Sequence, residues 1–386
     1  MHQKTYTIVL LVLLFSCNKT SENQAADPLN FEQLSQVVAE RSQLLAGEKV
    51  LLVASPGRFD PMIPLLKNEI EKAGATYLGT ISVTGEAPAA WATDFTTGAT
   101  GKVGPELATY FKSVDLGIML PGATTTHEAY AAMQEVLRQN QGRTIHFHWE
   151  GAYDLNGQAL AVDSTIDRFY QRVLFETDYQ ALARVQQAFD SAMRNNWITV
   201  TAPAGTDIKF RIGERPVTKQ DGDASKSRSQ GARNLIDREI ELPAGAIRVA
   251  PIEETVEGTI AFPDGRWGGE AVTGLKMIFK NGKVEEVLAN TGVEAVHREM
   301  GEAGVAGESF REFALGFNPL LAIPAEGQRW IPYYGYGAGV VRLSLGDNTE
   351  LGGNVSGPYV RWNFFTDATV KVGEEIWVEN GKLLKP

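Results

Sequence analysis

Residues 335–365 read GYGAGVVRLSLGDNTELGGNVSGPYVRWNFF. Two apolar runs in this stretch each carry an arginine, Arg342 in the first and Arg361 in the second, with Gly352, Gly353 and Ser356 between them. Arginine stays protonated at any working pH and has no lone pair to give a metal. Its planar fork instead holds carboxylate or phosphate oxygens two at a time. Trp330, Tyr333, Tyr334, Tyr336 and Trp362 lie close by and supply an apolar wall of the kind small-molecule pockets use. The candidate ligand-binding residues are Arg342, Arg361, Asn363, Tyr334 and Tyr336, and the ligand class they suit is an anionic small molecule or a peptide terminus.

Working outward, the chain has 386 residues, 43% hydrophobic and 22% charged, which suits a globular protein of about two domains. A formal net charge of −11 without a Lys/Arg block argues against a broad polyanion-binding surface, so no nucleic-acid partner is expected. Residues 1–16 read as a secretory signal: His2 and Lys4 precede an apolar run too short to span a bilayer as a mature helix. Leu14-Phe15-Ser16-Cys17 resembles a bacterial lipobox, in which Cys17 becomes the lipidated N-terminus. An ordinary cleaved signal with an incidental cysteine is the alternative. Cys17 is the only cysteine, so no intramolecular disulfide forms. Residues 17–30 are polar and make a tether. The expected location is the bacterial cell envelope, lipid-anchored and either periplasmic or surface-exposed.

From residue 31 the pattern alternates. Residues 49–55, 76–83, 116–120 and 144–149 read as strands, and 60–73, 105–112 and 125–138 as helices, which predicts a doubly wound parallel sheet over residues 31–195. Residues 164–195 read as one or two long helices. Residues 196–386 are strand-rich and mixed, an α+β domain, with hairpins expected over 277–287 turning at Asn281-Gly282 and over 369–383 turning at Asn380-Gly381. Residues 226–238 look basic but are flanked by acids, and read as an exposed loop running into a helix.

Several blocks, in order, resemble the aminopeptidase T (thermophilic leucyl aminopeptidase) family: Asp178-Tyr179-Gln180-Ala181-Leu182; Ala202-Pro203-Ala204-Gly205-Thr206-Asp207-Ile208; Leu242-Pro243-Ala244-Gly245-Ala246 with Ala250-Pro251; Phe310-Arg311-Glu312-Phe313-Ala314-Leu315-Gly316; and Val341-Arg342-Leu343-Ser344-Leu345-Gly346-Asp347-Asn348 with Arg361-Trp362-Asn363-Phe364. The resemblance implies a two-metal aminopeptidase, in which a metal pair polarises the scissile carbonyl and activates water, and it implies a homodimer. The family's ligand positions fall on Ala246, Glu312, Arg342, Arg361 and Asn363. Only Glu312 keeps a ligand of the expected kind, which makes it the candidate catalytic residue and leaves no metal expected at that site. Glu253, Glu254, Glu257 and Asp347 are candidate replacement carboxylates. Two readings of Glu312 stay open: it helps orient an anionic ligand held by Arg342 and Arg361, or it pairs with one or both arginines in a buried network.

His146, His148 and Glu150 form a second candidate. On a strand they share a face, and H-x-H-x-E ligates zinc or iron. Half-buried, hydrogen-bonded histidines are the alternative. The motif also resembles the iron-dependent dihydroxypyridine dioxygenases, whose H-x-D pair is missing here. An active metallo-enzyme with a rearranged site and a non-catalytic envelope protein therefore remain beside the anion-binding reading.

Overall fold

Runs such as Val50-Leu51-Leu52-Val53 bury both faces of a strand, the pattern of a sheet covered on two sides. Five strands pair in parallel in the order Thr76–Ser82, Lys49–Ala54, Leu116–Met119, Arg143–Phe147 and Glu239–Leu242. This architecture comes from a computed structural model describing residues 29–323 and 330–385, so Cys17, the signal and most of the tether lie outside the described residues. Leu51 and Val53 pack with helices Gly104–Tyr110 and Glu128–Arg138. Val50, Leu52 and Ala54, pointing the other way, pack with helices Phe31–Ser42, Met62–Lys72 and Ser164–Glu176. The expected doubly wound sheet is present.

Two details depart from expectation. The strand expected over 144–149 ends at Phe147, and Trp149 already lies beyond it, its indole N–H donating to Asp167 at 2.6 Å. The sheet also takes its fifth strand, Glu239–Leu242, from beyond residue 196, so the two halves of the chain share a sheet. The alternating acids Glu239 and Glu241 hide that strand from a search for apolar runs. Residues 164–195 form two helices, Ser164–Glu176 and Tyr179–Met193, whose first turns are capped by Asp163 and Asp178.

The larger sheets of the second half are antiparallel, of eight and five strands. They pack through Phe210, whose ring lies 5.9 Å from Phe310 and 5.3 Å from Phe313. Phe189 of helix Tyr179–Met193 closes that core against Phe317 and Trp377. Asn281 and Gly282 both take left-handed φ, as a two-residue hairpin turn requires. Asn380-Gly381 joins Glu375–Glu379 to Lys382–Leu383, while Thr369–Val372 turns earlier, at Gly373, so the expected hairpin is a three-stranded meander. Residues 226–238 reverse the expected order: the short helix Lys226–Gln230 comes first, and Arg238, at the far end, is buried. Among the described residues, no helix is long and apolar enough to cross a membrane.

Candidate functional site

In an antiparallel sheet, residues directly opposite one another share a face. In the five-stranded sheet Arg248 stands opposite Ala314, Ala314 opposite Arg342, Glu312 opposite Ser344, and Ala246 opposite Gly316. These side chains therefore share a face, which looks away from the Phe210 core. Arg361 stands opposite Leu345 and Asn363 opposite Leu343, on the other face. The expected meeting of Arg342 and Arg361 in one cleft does not occur, because an odd number of positions separates them along the paired strands. Arg361 instead donates to Glu299 at 2.8 Å and lies 3.5 Å above the Trp267 ring. The Asn363 amide donates to the Leu343 carbonyl at 3.2 Å.

On the first face a closed ionic cluster forms around Glu312, which is fully buried. Its carboxylate accepts from Arg248 at 3.0 Å and from Ser344 at 3.2 Å, and lies 3.1 Å from the Arg342 guanidinium. The small Ala314 between Arg248 and Arg342 leaves room for both guanidiniums. A β-bulge between Phe310 and Glu312 adds Arg311, so two chain neighbours serve one cluster. Glu350 takes a second bond from Arg248 at 3.1 Å and another from Arg311. Burial alone would raise the Glu312 pKa. The charges of Arg248, then Arg342 and Arg311, override it and hold the carboxyl well below the usual range.

Arg342 also supports the aromatic wall. It donates to the Tyr334 carbonyl at 3.0 Å and stands 4.8 Å from the Trp362 ring. Tyr333 and Tyr334 both have positive φ, 42° and 53°, a conformation that costs on the order of 1–3 kcal/mol per residue unless the surroundings hold it. The restraints are visible: Tyr333 N–H donates to the Tyr170 hydroxyl and Tyr334 N–H to the Gly151 carbonyl. Tyr336 faces inward and donates to Glu241, tying the tyrosine turn to the parallel sheet. The aromatic residues expected to wall a ligand pocket are instead packed against one another, with Tyr333 and Tyr336 fully buried.

The His146, His148 and Glu150 face does not form a ligand set. His146 and His148 stack edge to face at 5.5 Å, but Glu150 lies past the end of the strand and is exposed. His146 Nδ1 is taken by the Tyr130 hydroxyl. Among the described residues, no group of three His, Cys, Asp or Glu side chains is placed to hold a metal ion. Burial keeps both imidazoles neutral by pushing their pKa values down. Burial also pushes the Glu239 carboxyl, 3.4 Å from His146, up to about 8, so the two face each other uncharged near neutrality.

A hydrolytic metal pair does not fit the Glu312 site. The Glu312 carboxylate is already shared by three guanidiniums, and Glu350 by two of them; guanidiniums have no lone pair to offer and would repel a divalent cation. The replacement carboxylates are committed elsewhere. Glu253 bonds Arg215, Asn348 and Asn354; Glu257 pairs with Lys209; Glu254 is exposed; and Asp347 holds the turn through Thr349 and Gly357. Sequence reading missed Arg248, Arg311 and Glu350. Arg248 carried the clearest signal, since it lies two residues after Ala246 and so on the same strand face.

An open hollow of about 380 Å³ lies nearby, at the carboxyl ends of strands Lys49–Ala54, Leu116–Met119 and Arg143–Phe147. That is where the strand order reverses, the usual ligand crevice of such sheets. Arg58, Phe59, Trp149, Glu150 and Tyr153 line it. Tyr153 continues the aromatic wall, with its ring 5.5 Å from Tyr334 and 6.3 Å from Trp362.

No protein-family model and no curated protein matches this chain. Solved structures do, two of them as follows. The 2,5-dihydroxypyridine dioxygenase from Pseudomonas putida KT2440 aligns at a TM-score of 0.63 with 16% identity, covering 93% of this chain and 99% of that one. Wild-type AmpT from Thermus thermophilus aligns at 0.59 with 16% identity, covering 92% and 99%. The fold of this chain is aminopeptidase T-like.

Proposed function

We propose that this protein is lipid-anchored in the bacterial cell envelope and uses its aminopeptidase T-like scaffold to bind a small anionic molecule or a peptide terminus, without two-metal hydrolysis. The observation that carries the reading is the Arg248–Glu312–Arg342 cluster, which fills the face where the family's ligands would converge. Binding then falls to the 380 Å³ hollow. Its rim carries charges of both signs: Glu150 is exposed, and the Arg58 side chain is 48% exposed while paired with Asp167. Phe59, Trp149 and Tyr153 give the apolar surface between them. A peptide end, with its ammonium near Glu150 and a carboxylate near Arg58, matches that pattern.

Calorimetry with a panel of dipeptides and short dicarboxylates tests this. At least one should bind the native chain, and Glu150→Gln or Arg58→Ala should weaken it roughly tenfold, the range of a lost charge-assisted hydrogen bond. Binding that survives both substitutions, or metal-dependent hydrolysis of the dipeptides, would overturn the proposal.

A further inference from the structure

At the opposite, amino-terminal end of the parallel sheet lies a second hollow, of about 290 Å³. Arg143, Lys226, Ser229, Gln230 and Arg238 line it, together with Asp115 and Asn140. The charges there are unevenly matched. Arg143 is fully engaged: its guanidinium holds Glu48 through two bonds of 2.8 and 2.9 Å and reaches the Ala224 carbonyl. Lys226 stands 3.9 Å from the same Glu48 carboxylate. Asp115 accepts from the Lys49 N–H.

Arg238 is left over. It is 7% exposed, its guanidinium donates from Nη1 to the Gly142 carbonyl at 3.2 Å, and its Nε has no partner. Among the described residues no carboxylate lies within ion-pair distance of it. A buried charge with no ion-pair partner is costly, and burial pushes this guanidinium's pKa down against the smaller, opposing pull of the Asp237 charge. The fold nonetheless holds it in place, because the 3-10 turn Ile236–Arg238 leads directly into strand Glu239–Leu242.

We propose that the hollow bounded by Arg238, Lys226 and Ser229 is a binding site for a phosphate-type oxyanion. Arg238 offers a guanidinium with no carboxylate at ion-pair distance, Lys226 a half-exposed ammonium, and Gln230 a neutral donor, a combination suited to a tetrahedral dianion. Inorganic phosphate and a phosphate monoester share this chemistry. The site lies at the other end of the sheet from the peptide-end hollow and does not depend on that reading.

The test is thermal unfolding and calorimetry of the full mature chain with inorganic phosphate, at constant ionic strength, with glycerol 3-phosphate as the monoester arm. Native protein should bind one equivalent and melt higher with phosphate. Arg238→Gln should melt higher than native in its absence, having lost an unpaired buried charge, and should lose the phosphate response. Lys226→Ala, at a half-exposed position, should keep the native melting temperature and bind phosphate roughly tenfold more weakly. Tighter binding of glycerol 3-phosphate would assign the site to a monoester. No phosphate response in the native chain, or an equal response in native and Lys226→Ala, would overturn the proposal.

Discussion

At the residue scale the decisive groups are Glu312 and Glu239, two buried carboxyls with opposite behaviour. Glu312 is held ionised by three guanidiniums, and removing its charge leaves them facing one another. Glu312→Gln should therefore cost about 3–5 kcal/mol at pH 7. Its pKa in the fold lies below the ordinary value of 4.5. The stabilisation is thus present above pH 4.5 and is lost as pH falls through the folded value. In urea denaturation at a series of pH values, the gap between native and variant should shrink below pH 4.5; a constant gap would contradict the ion-pair account. Glu239 runs the other way. Its carboxyl rises from 4.5 to about 8, so its favourable contribution is complete below pH 4.5 and disappears as pH climbs through 8. Glu239→Gln should flatten that loss, which is on the order of 5 kcal/mol at most, and should melt higher than native at pH 8.5. A variant that melts lower there would show that Glu239 is ionised and paired in the fold.

At the scale of elements, strand register separates what sequence proximity seemed to join. Arg342 and Arg361 occupy matching motif positions, and a sequence carries no marker of which face an edge strand presents once its register is unknown. The pairing of Leu345 with Arg361 decides it. A double-mutant cycle measures the result. Arg361→Met and Glu299→Ala should couple by roughly 0.5–3 kcal/mol, being in contact, whereas Arg361→Met and Arg342→Lys should add to within about 0.5 kcal/mol. Strong coupling between the two arginine substitutions would place both on one face.

Other elements were readable in advance. The Val50–Val53 run and the Asn281-Gly282 turn each depend on local chemistry, and each formed where expected. Strand Glu239–Leu242 escaped because its stability comes from pairing with Arg143–Phe147, about a hundred residues away, rather than from its own pattern. For the site, the loss of ligand residues was legible at Ala246, Arg342 and Arg361. The closure of the cluster was not, since it depends on a bulge at Arg311 and on Glu350 reaching back from a later turn.

At the scale of the molecule, the tyrosine turn Tyr333–Tyr336 is tied to the parallel sheet through the Tyr336–Glu241 bond. The open hollows described lie at the two ends of the parallel sheet, while the face that the family resemblance marks for metals is packed shut. The proposed anchor belongs to this scale as well: Cys17→Ser should move the protein from the membrane fraction to the soluble fraction without changing its melting temperature, and unchanged fractionation would remove the lipid from the account. The most direct measurement of the central claim is a titration of the purified, metal-stripped mature chain with zinc, manganese and cobalt, followed by calorimetry and by elemental analysis after dialysis. The account predicts no tightly held divalent ion and no aminopeptidase activity at any loading. Two equivalents retained per chain, released by Glu312→Gln and accompanied by hydrolysis of an aminoacyl substrate, would contradict it.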